Sequence, residues 1–288
     1  MLPTNPITRQ RHSDPSRRFR EAYDGRLPAD LSQSLLAVEE QLAKSTIEKK
    51  IAVFDLDNTL LVGDIGEAVF AGLKLQGYIP GFSWESYRKL LSTNRLEAYR
   101  RIVAGMSGLS ERSIHKVTLD VLSKRESYVE LEKSYIQVPF AHPVMLHVVG
   151  QLRSLGYQIC VISASNEISA RMVAWKLFNI PPFYVYGIRQ QLQNGILTDD
   201  LLEPIPIDSG KVEVYRKFMG SVDPVITAGD SVLDIPMLQM TDPRGLSIWV
   251  GEERTGYELI RHRTGGAHKF CFLPRPAQLQ FDEEGSDD

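Results

Sequence analysis

The stretch "KKIAVFDLDNTLLVGDIGEAVF", residues 49–70, decides the fold, because a hydrophobic run ends in it and a cluster of acidic residues begins. Its "IAVF" part is rich in branched apolar residues, which is typical of a strand buried on both faces of a sheet. Asp55, Asp57 and Asp64 follow closely. Carboxylates repel one another unless a positive charge holds them together, so this strand end is a candidate functional site.

The composition is that of an ordinary globular protein. The 288 residues are 43% hydrophobic and 24% charged, enough for one large domain or for a core domain with an insertion. The formal net charge of −3 gives no general attraction to nucleic acid or to an anionic membrane surface, so we expect neither as a partner. Cys160 lies in the apolar run "YQICVIS", far from Cys271, which favours a buried, inert thiol over a disulfide framework or a thiolate metal site. With no apolar signal core after Met1, this pattern predicts a cytoplasmic protein.

The two ends of the chain differ from the rest. Residues 1–25 are rich in Pro, Ser and Arg and predict a flexible basic arm, with a phosphate- or partner-binding arm as the alternative. Residues 276–288 are predicted to form an acidic tail. Between Pro28 and Ser45 the spacing of apolar residues predicts a helix that packs on the core. Those apolar residues are Leu31, Leu35, Val38 and Leu42.

Two later runs repeat the design of the first strand, "YQICVISAS" at 157–165 and "PVITAGD" at 224–230. Helical patterns alternate with them, and this predicts an α/β fold, a Rossmann-like parallel sheet core with helices on both faces. In "YVYGIRQQLQNGILTDDLLEPI", Asn194-Gly195 predicts a hairpin that adds an antiparallel extension at the sheet edge.

Residues 64–139 interrupt this rhythm with several helix-like segments and no convincing strand run. We therefore expect a helical cap, inserted into a core made of residues 26–63 and 140–275. An insertion that follows the first strand is well placed to cover the end of that strand.

If the three apolar runs are neighbouring parallel strands, polar side chains from all three meet at one edge of the sheet. These side chains are Asp55, Asp57, Ser163, Asp230 and Asp234. Oxygen ligands without nearby His or Cys favour Mg²⁺ over zinc. In such a site one carboxylate can act as a nucleophile and a second as acid and then base, while Lys211 supplies a fixed positive charge. Taken singly, an Asp in a turn, Ser163 as a helix cap and Lys211 on the surface are the simpler interpretations, but the ordered set favours a site.

Four short motifs carry these residues in order: "DLDNT" at 55–59, "ISAS" at 162–165, "DSGK" ending at Lys211, and "GDSVLD" at 229–234. With them the chain resembles the haloacid dehalogenase superfamily of phosphatases, in the helical-cap branch of phosphoserine phosphatase and phosphorylcholine phosphatase. The resemblance covers roughly residues 47–265. Dehalogenases of this superfamily lack the second Asp, so Asp57 favours a phosphatase or a phosphomutase.

The resemblance implies a role for each motif residue. Asp55 would be the nucleophile that becomes a phospho-aspartate, and Asp57 would protonate the leaving oxygen and then activate water. Mg²⁺ would be held by Asp55, the backbone carbonyl of Asp57 and Asp230, with Asp234 supporting that shell. The phosphate-binding residues would be Ser163, Lys211, Asn58, Thr59 and Ala164.

For the substrate, the resemblance implies a small phosphomonoester, with amino-bearing esters of the phosphoserine, phosphocholine or phosphoethanolamine type as candidates. Asp64 or Glu67 would receive the ammonium group, although an acid in the first turn of a helix is an equally good interpretation. Arg100 and Arg101 would bind a carboxylate. The alternatives are a phosphomutase, or a phosphate-ligand sensor without turnover.

An aromatic cluster in the predicted cap has two interpretations. It would form either a cation–π box for a quaternary ammonium group or, the favoured interpretation at these spacings, the hydrophobic core of the cap. Its members are Tyr78, Phe82, Trp84 and Tyr87.

Overall fold

The computed structural model describes residues 27–45, 49–124, 128–251, 256, 258, 260 and 269–274. The predicted basic arm, residues 1–25, and the predicted acidic tail, residues 276–288, lie outside this range. Among the described helices, none is long and apolar enough to cross a membrane.

The described residues contain eleven β-strands. They are β1 (Ile51–Phe54), β2 (Leu61–Val62), β3 (Tyr128–Leu131), β4 (Ser134–Gln137), β5 (Phe140–Ala141), β6 (Gln158–Asn166), β7 (Val185–Gln193), β8 (Ile196–Leu202), β9 (Ile226–Gly229), β10 (Leu246–Val250) and β11 (Phe270–Leu273). Seven of them form the main sheet in the order β11-β10-β9-β1-β6-β7-β8. All neighbours in it are parallel except β7 and β8.

The three strands predicted to be neighbours are neighbours. Val53 of β1 pairs with Cys160 of β6 on one side and with Thr227 of β9 on the other. The predicted hairpin is also present, because β7 and β8 are joined at Asn194 and Gly195, both with positive φ. The α/β fold predicted from the sequence is therefore confirmed.

Helices surround this sheet. They are α1 (Ala29–Leu42), α2 (Ile65–Leu75), α3 (Trp84–Thr93), α4 (Arg95–Ala104), α5 (Glu111–Leu122), α6 (Pro143–Ser154), α7 (Glu167–Phe178), α8 (Ser209–Met219) and α9 (Ile235–Gln239). Alternate residues of β1 face opposite layers: Ala52 and Phe54 pack in a cluster with α1, α6 and α7, whereas Ile51 and Val53 pack with α8 and α9. Helices thus cover both faces.

The first helix packs where the sequence predicted. Its residues Leu31, Leu35, Val38 and Leu42 are buried, and α1 lies against β10 and β11. Cys160, in the middle of β6, is fully buried, and burial raises the pKa of its thiol. An inert Cys160 is the expected consequence.

The two ends of the segment 64–139 lie close together, because β2 and β5 form an antiparallel pair in which Leu61 is opposite Ala141. The helices α2 to α5 follow as expected, but the expectation of no strand is wrong at the C-terminal end. Residues 128–137 form an antiparallel hairpin, β3–β4. Its apolar residues alternate along the chain, with Glu132 and Lys133 at the turn, both with positive φ.

The aromatic cluster is the hydrophobic core of this insertion. Trp84 and Tyr87 are almost fully buried, and both rings stack on Phe70 of α2. Phe82 meets the same ring edge-on, with 5.0 Å between centroids. The structure thus matches the favoured interpretation of these residues as packing.

Candidate active site

The first acidic residues are placed by the end of β1. The backbone N–H of Asp55 donates to the carbonyl of Ala228, so the β1–β9 pairing continues to this residue. The chain then turns through residues 56–60, where Asn58 has φ 57°, a left-handed conformation that Asn tolerates better than most residues. This turn lets Asp55 and Asp57 line the same cavity.

That cavity, of about 360 Å³, lies between the carboxyl ends of the parallel strands and the insertion. Most of the residues predicted from the sequence line it. They are Asp55, Asp57, Asn58, Asp64, Glu67, Ala164, Lys211, Asp230 and Asp234. A larger groove of about 1410 Å³ runs along α1 and α6, lined by residues such as Leu36 and Leu146. None of these carboxylates lines the groove, so the chemistry belongs to the smaller cavity.

Four predicted residues do not line the cavity. Ser163 is fully buried behind Asp57, and Thr59 is fully buried with no hydrogen bond to its hydroxyl from the described residues. Arg100 points to Glu203, with 3.4 Å between Nη1 and Oε1, and Arg101 bonds Glu97 of its own helix at 3.0 Å. The structure therefore does not support a substrate-binding role for Arg100 and Arg101.

The reason lies in the rotation of α4. Arg95 and Tyr99, four residues apart on one helix face, line the cavity. Each further residue turns by about 100°, so Arg100 and Arg101 point elsewhere. Arg88, at the C-terminal half of α3, also lines the cavity. Neither Arg88 nor Arg95 forms a salt bridge with any residue in the described ranges, and nothing in their spacing distinguishes them from exposed helical arginines.

Lys211 joins two of the carboxylates. Its Nζ lies 2.6 Å from Oδ1 of Asp55 and 2.5 Å from Oδ1 of Asp234, and all three side chains are buried. Burial alone would lower the pKa of Lys211, but the charges of Asp234 and Asp55 outweigh burial and raise it. Burial raises the pKa of Asp55 to about 7, although the Lys211 charge opposes this change.

Asp234 also orders the loop that carries Asp230. Its Oδ2 accepts hydrogen bonds from the backbone N–H groups of Asp230 and Ser231 and from the Ser231 hydroxyl, at 3.0–3.1 Å. Gly229 permits this close approach, since a Cβ there would lie 2.4 Å from the Cβ of Asp234. Both oxygens of Asp234 are therefore held, Oδ1 by Lys211 and Oδ2 by the Asp230–Ser231 loop.

The carboxylates fit a divalent metal ion. One oxygen from each of Asp55, Asp230 and Asp234 lies within 4.8 Å of the others. This donor set consists only of carboxylate oxygens, which is the preference of a hard cation such as Mg²⁺.

The Asp57 carboxylate is held by hydrogen bonds instead. Oδ1 accepts from the backbone N–H of Ile65 at 2.8 Å, and Oδ2 accepts from the hydroxyls of Ser163 at 3.0 Å and Ser165 at 2.8 Å. Burial and the nearby Asp64 charge raise the pKa of Asp57 to about 7, against these three bonds, which lower it. A carboxyl group with such a pKa can both donate and accept a proton near neutral pH.

Asp64 and Glu67 form the acidic wall of the insertion. Asp64 caps α2 by accepting from the N–H of Glu67 at 2.8 Å, and Glu67 accepts from the hydroxyl of Tyr87 at 3.1 Å. Burial, and then the charge of Glu67, raise the pKa of Asp64 to about 7. Asp64 is thus a helix cap that also lines the cavity, and its role toward an ammonium group stays a prediction.

Comparisons with known proteins agree with this architecture. The family model for haloacid dehalogenase-like hydrolases matches residues 52–239. Phosphoserine phosphatase SerB2 of Mycobacterium tuberculosis is 26% identical over 194 residues, which are 66% of this chain and 42% of the relative. The chain thus spans less than half the length of that relative.

Solved structures share the fold. A conserved protein of unknown function from Anaerococcus prevotii matches with a TM-score of 0.61 and 16% identity, over 83% of this chain and 91% of that one. A phospho-aspartyl intermediate analogue of phosphoserine phosphatase matches with a TM-score of 0.52 and 18% identity, over 79% and 94% of the two chains. At these identities the likeness is one of fold.

Proposed function

The chain belongs to the haloacid dehalogenase-like hydrolase family, and from this premise we propose that it is a phosphatase that hydrolyses a small phosphomonoester. The observation that carries the proposal is the arrangement around Lys211, which holds the Asp55 carboxylate at 2.6 Å in the same cavity as Asp57. A nucleophile, an acid–base group and a fixed positive charge are thus side by side.

In the proposed reaction an oxygen of Asp55 attacks the phosphorus atom, and the bond between phosphorus and the ester oxygen breaks. Asp57 gives its proton to that leaving oxygen, so an alcohol departs and a phospho-aspartate remains. Asp57, now a carboxylate, takes a proton from water as that water attacks the phosphorus. The bond to Asp55 then breaks and inorganic phosphate is released, with Asp57 protonated again.

The charge of the transferring group needs positive partners. Asp55, Asp230 and the backbone carbonyl of Asp57 would hold Mg²⁺, with Asp234 in support. When bound, the ion would screen the carboxylates and polarise a phosphoryl oxygen. Lys211 presents its ammonium group to the same place, and the Ser163 hydroxyl is close enough to Asp57 to serve as a donor beside it.

We assign residues 64–139 as a cap domain on a core of residues 26–63 and 140–275. This proposal is supported by the β2–β5 pair, which brings the two ends of the insertion together, and by the insertion residues that line the cavity. A cap over the site would exclude water from the transfer step.

The cap side of the cavity suggests the kind of substrate. Asp64 and Glu67 are half-buried acids that suit an ammonium group, while Arg88 and Arg95 suit an anion such as a carboxylate. A phosphomonoester with both groups, of the phosphoserine type, satisfies all four side chains. Phosphocholine and phosphoethanolamine carry no carboxylate for the two arginines, so we rank them below.

The test is phosphate release from a panel of small phosphomonoesters, with Mg²⁺ and with EDTA. We expect release that depends on the metal and is abolished in Asp55→Asn, with phosphoserine preferred over neutral sugar phosphates. Asp199→Asn, an exposed carboxylate on β8, is the matched control and should behave as wild type. A folded protein that releases no phosphate from any ester would contradict the proposal, and phosphate retained on an isomeric product would indicate a phosphomutase.

A further inference from the structure

We propose that Ser165 is a positioning residue that holds the Asp57 carboxylate, and that this leaves the hydroxyl of Ser163 available for the phosphoryl group. The inference rests on the proposed phosphatase function. Ser165 stands two residues after Ser163 in the second motif, "ISAS".

The geometry brings both hydroxyls to one oxygen. Ser163 Oγ lies 3.0 Å and Ser165 Oγ 2.8 Å from Oδ2 of Asp57. Ser165 is also bound through its backbone, because its N–H donates to Ser163 Oγ at 2.9 Å. Ser165 is 5% exposed and lines the cavity together with Asp57, so its hydroxyl holds the Asp57 carboxylate from the cavity wall.

A count of protons separates the roles of the two serines. A hydroxyl has one proton to donate, and the proton of Ser163 points at Asp57 in this arrangement. To donate to a phosphoryl oxygen, Ser163 must turn that proton away from Asp57. The Ser165 hydroxyl and the Ile65 N–H then remain on the two oxygens of Asp57, so the carboxylate keeps its orientation.

Gly66, near the start of α2, lies beside the Ser165 hydroxyl and has no side chain to displace it. A Cβ at Gly66 would lie 2.7 Å from Ser165 Oγ and 3.2 Å from Oδ1 of Asp64. Glycine in a helix is otherwise less favourable than alanine. The space at Gly66 therefore allows the Ser165 hydroxyl to reach Asp57.

The experiment compares Ser165→Ala, Ser163→Ala and the double variant, with kcat for a hydrolysed ester and the inhibition constant of inorganic phosphate as the two readouts. In Ser165→Ala, Ser163 supplies the hydroxyl proton that remains on Oδ2 of Asp57, so this proton is no longer available to a phosphoryl oxygen. We therefore expect phosphate to bind about tenfold more weakly, the loss of one hydrogen bond to a charged group, and kcat to fall as well. In the Ser163→Ala background, adding Ser165→Ala should lower kcat without weakening phosphate further.

Two more variants separate a positioning role of Ser165 from a non-specific disturbance of the fold. Gly66→Ala keeps Ser165 but displaces its hydroxyl, and should reproduce the effect of Ser165→Ala, whereas Ser165→Thr retains a hydroxyl and should recover phosphate binding. Ser169→Ala is the control, since that hydroxyl is equally buried but bonds Thr118 at 2.8 Å. Unchanged phosphate binding in Ser165→Ala, or the same loss with and without Ser163, would overturn the inference. A wild-type chain that neither hydrolyses esters nor binds phosphate would instead reject the proposed function, and the inference with it.

Discussion

The Nζ atom of Lys211 lies 2.6 Å from Oδ1 of Asp55, and both side chains are buried. The same Nζ is 2.5 Å from Asp234, so a single ammonium group is shared by two carboxylates. An unpaired buried charge is costly, which makes this lysine important both for stability and for the proposed chemistry.

Lys211→Met should therefore destabilise the protein and abolish activity. Removing one partner of a buried ion pair typically costs about 3–5 kcal/mol. We expect that loss of unfolding free energy in urea near pH 8, and a smaller loss near pH 5, because burial raises the pKa of Asp55 to about 7 and protonation can then neutralise it. Lys217→Met is the control, because Lys217 is exposed on the same helix and contacts only a backbone carbonyl, that of Glu203, and the Phe218 ring among the described residues. Equal stability of Lys211→Met and wild type at pH 8 would argue against a charged, shared lysine.

Arg88 and Arg95 are expected to select substrates with a second anionic group. Loss of one charge-assisted hydrogen bond corresponds to roughly 1.5–3 kcal/mol, or about 10- to 100-fold. Arg88→Ala and Arg95→Ala should raise KM for phosphoserine by that factor and change KM for phosphoethanolamine little. Arg101→Ala, a surface change on the same cap, should affect neither. An equal rise of KM for both esters would show that these arginines do not read the carboxylate.

Prediction from sequence fails for four arginines, Arg88, Arg95, Arg100 and Arg101: the sequence does not show which of them line the cavity. β1, β6 and β9 and the residues at their ends were predictable, since continuous apolar runs specify buried parallel strands and topology brings their ends together. Whether Arg95 or Arg101 meets the cavity depends on the rotation of α4, which tertiary packing sets. The β3–β4 hairpin could not be predicted for a different reason. Glu130, Glu132 and Lys133 obscure the alternation of apolar and polar residues that marks a strand.

The raised pKa values of two half-buried acids of the cavity predict how the stability of the metal-free protein changes with pH. Asp57 and Asp64 have pKa values near 7 in the folded chain, above the usual 3.8. Between these values the folded protein binds more protons than the unfolded one, so this contribution to stability is complete below about pH 4 and is lost as pH rises to about 7.

The measurement is the unfolding free energy in EDTA at several pH values from 5 to 8. Asp64→Asn keeps an oxygen to cap α2 but removes one titrating group, so its stability should fall less steeply with pH than that of wild type. Asp199→Asn, which changes an exposed carboxylate, should leave the slope unchanged. Identical slopes for wild type and Asp64→Asn would mean that Asp64 is not neutralised on folding.

Mg²⁺ should stabilise the folded protein without any substrate, because its proposed ligands come together only in the fold. Asp55 is distant in sequence from Asp230 and Asp234, yet one oxygen from each of the three lies within 4.8 Å of the others. Binding to the folded state alone adds about 2.7 kcal/mol at an ion concentration of roughly 100 Kd.

We expect the melting temperature to rise with added MgCl₂, to return to its starting value with EDTA, and to be insensitive to MgCl₂ in Asp230→Asn. Asp230 is the informative position, because Asp55 and Asp234 are both engaged by Lys211, so that changing either would also disturb a buried ion pair. A titration of Asp199→Asn should match wild type and exclude an effect of surface charge. An equal rise in Asp230→Asn and wild type would place the ion elsewhere.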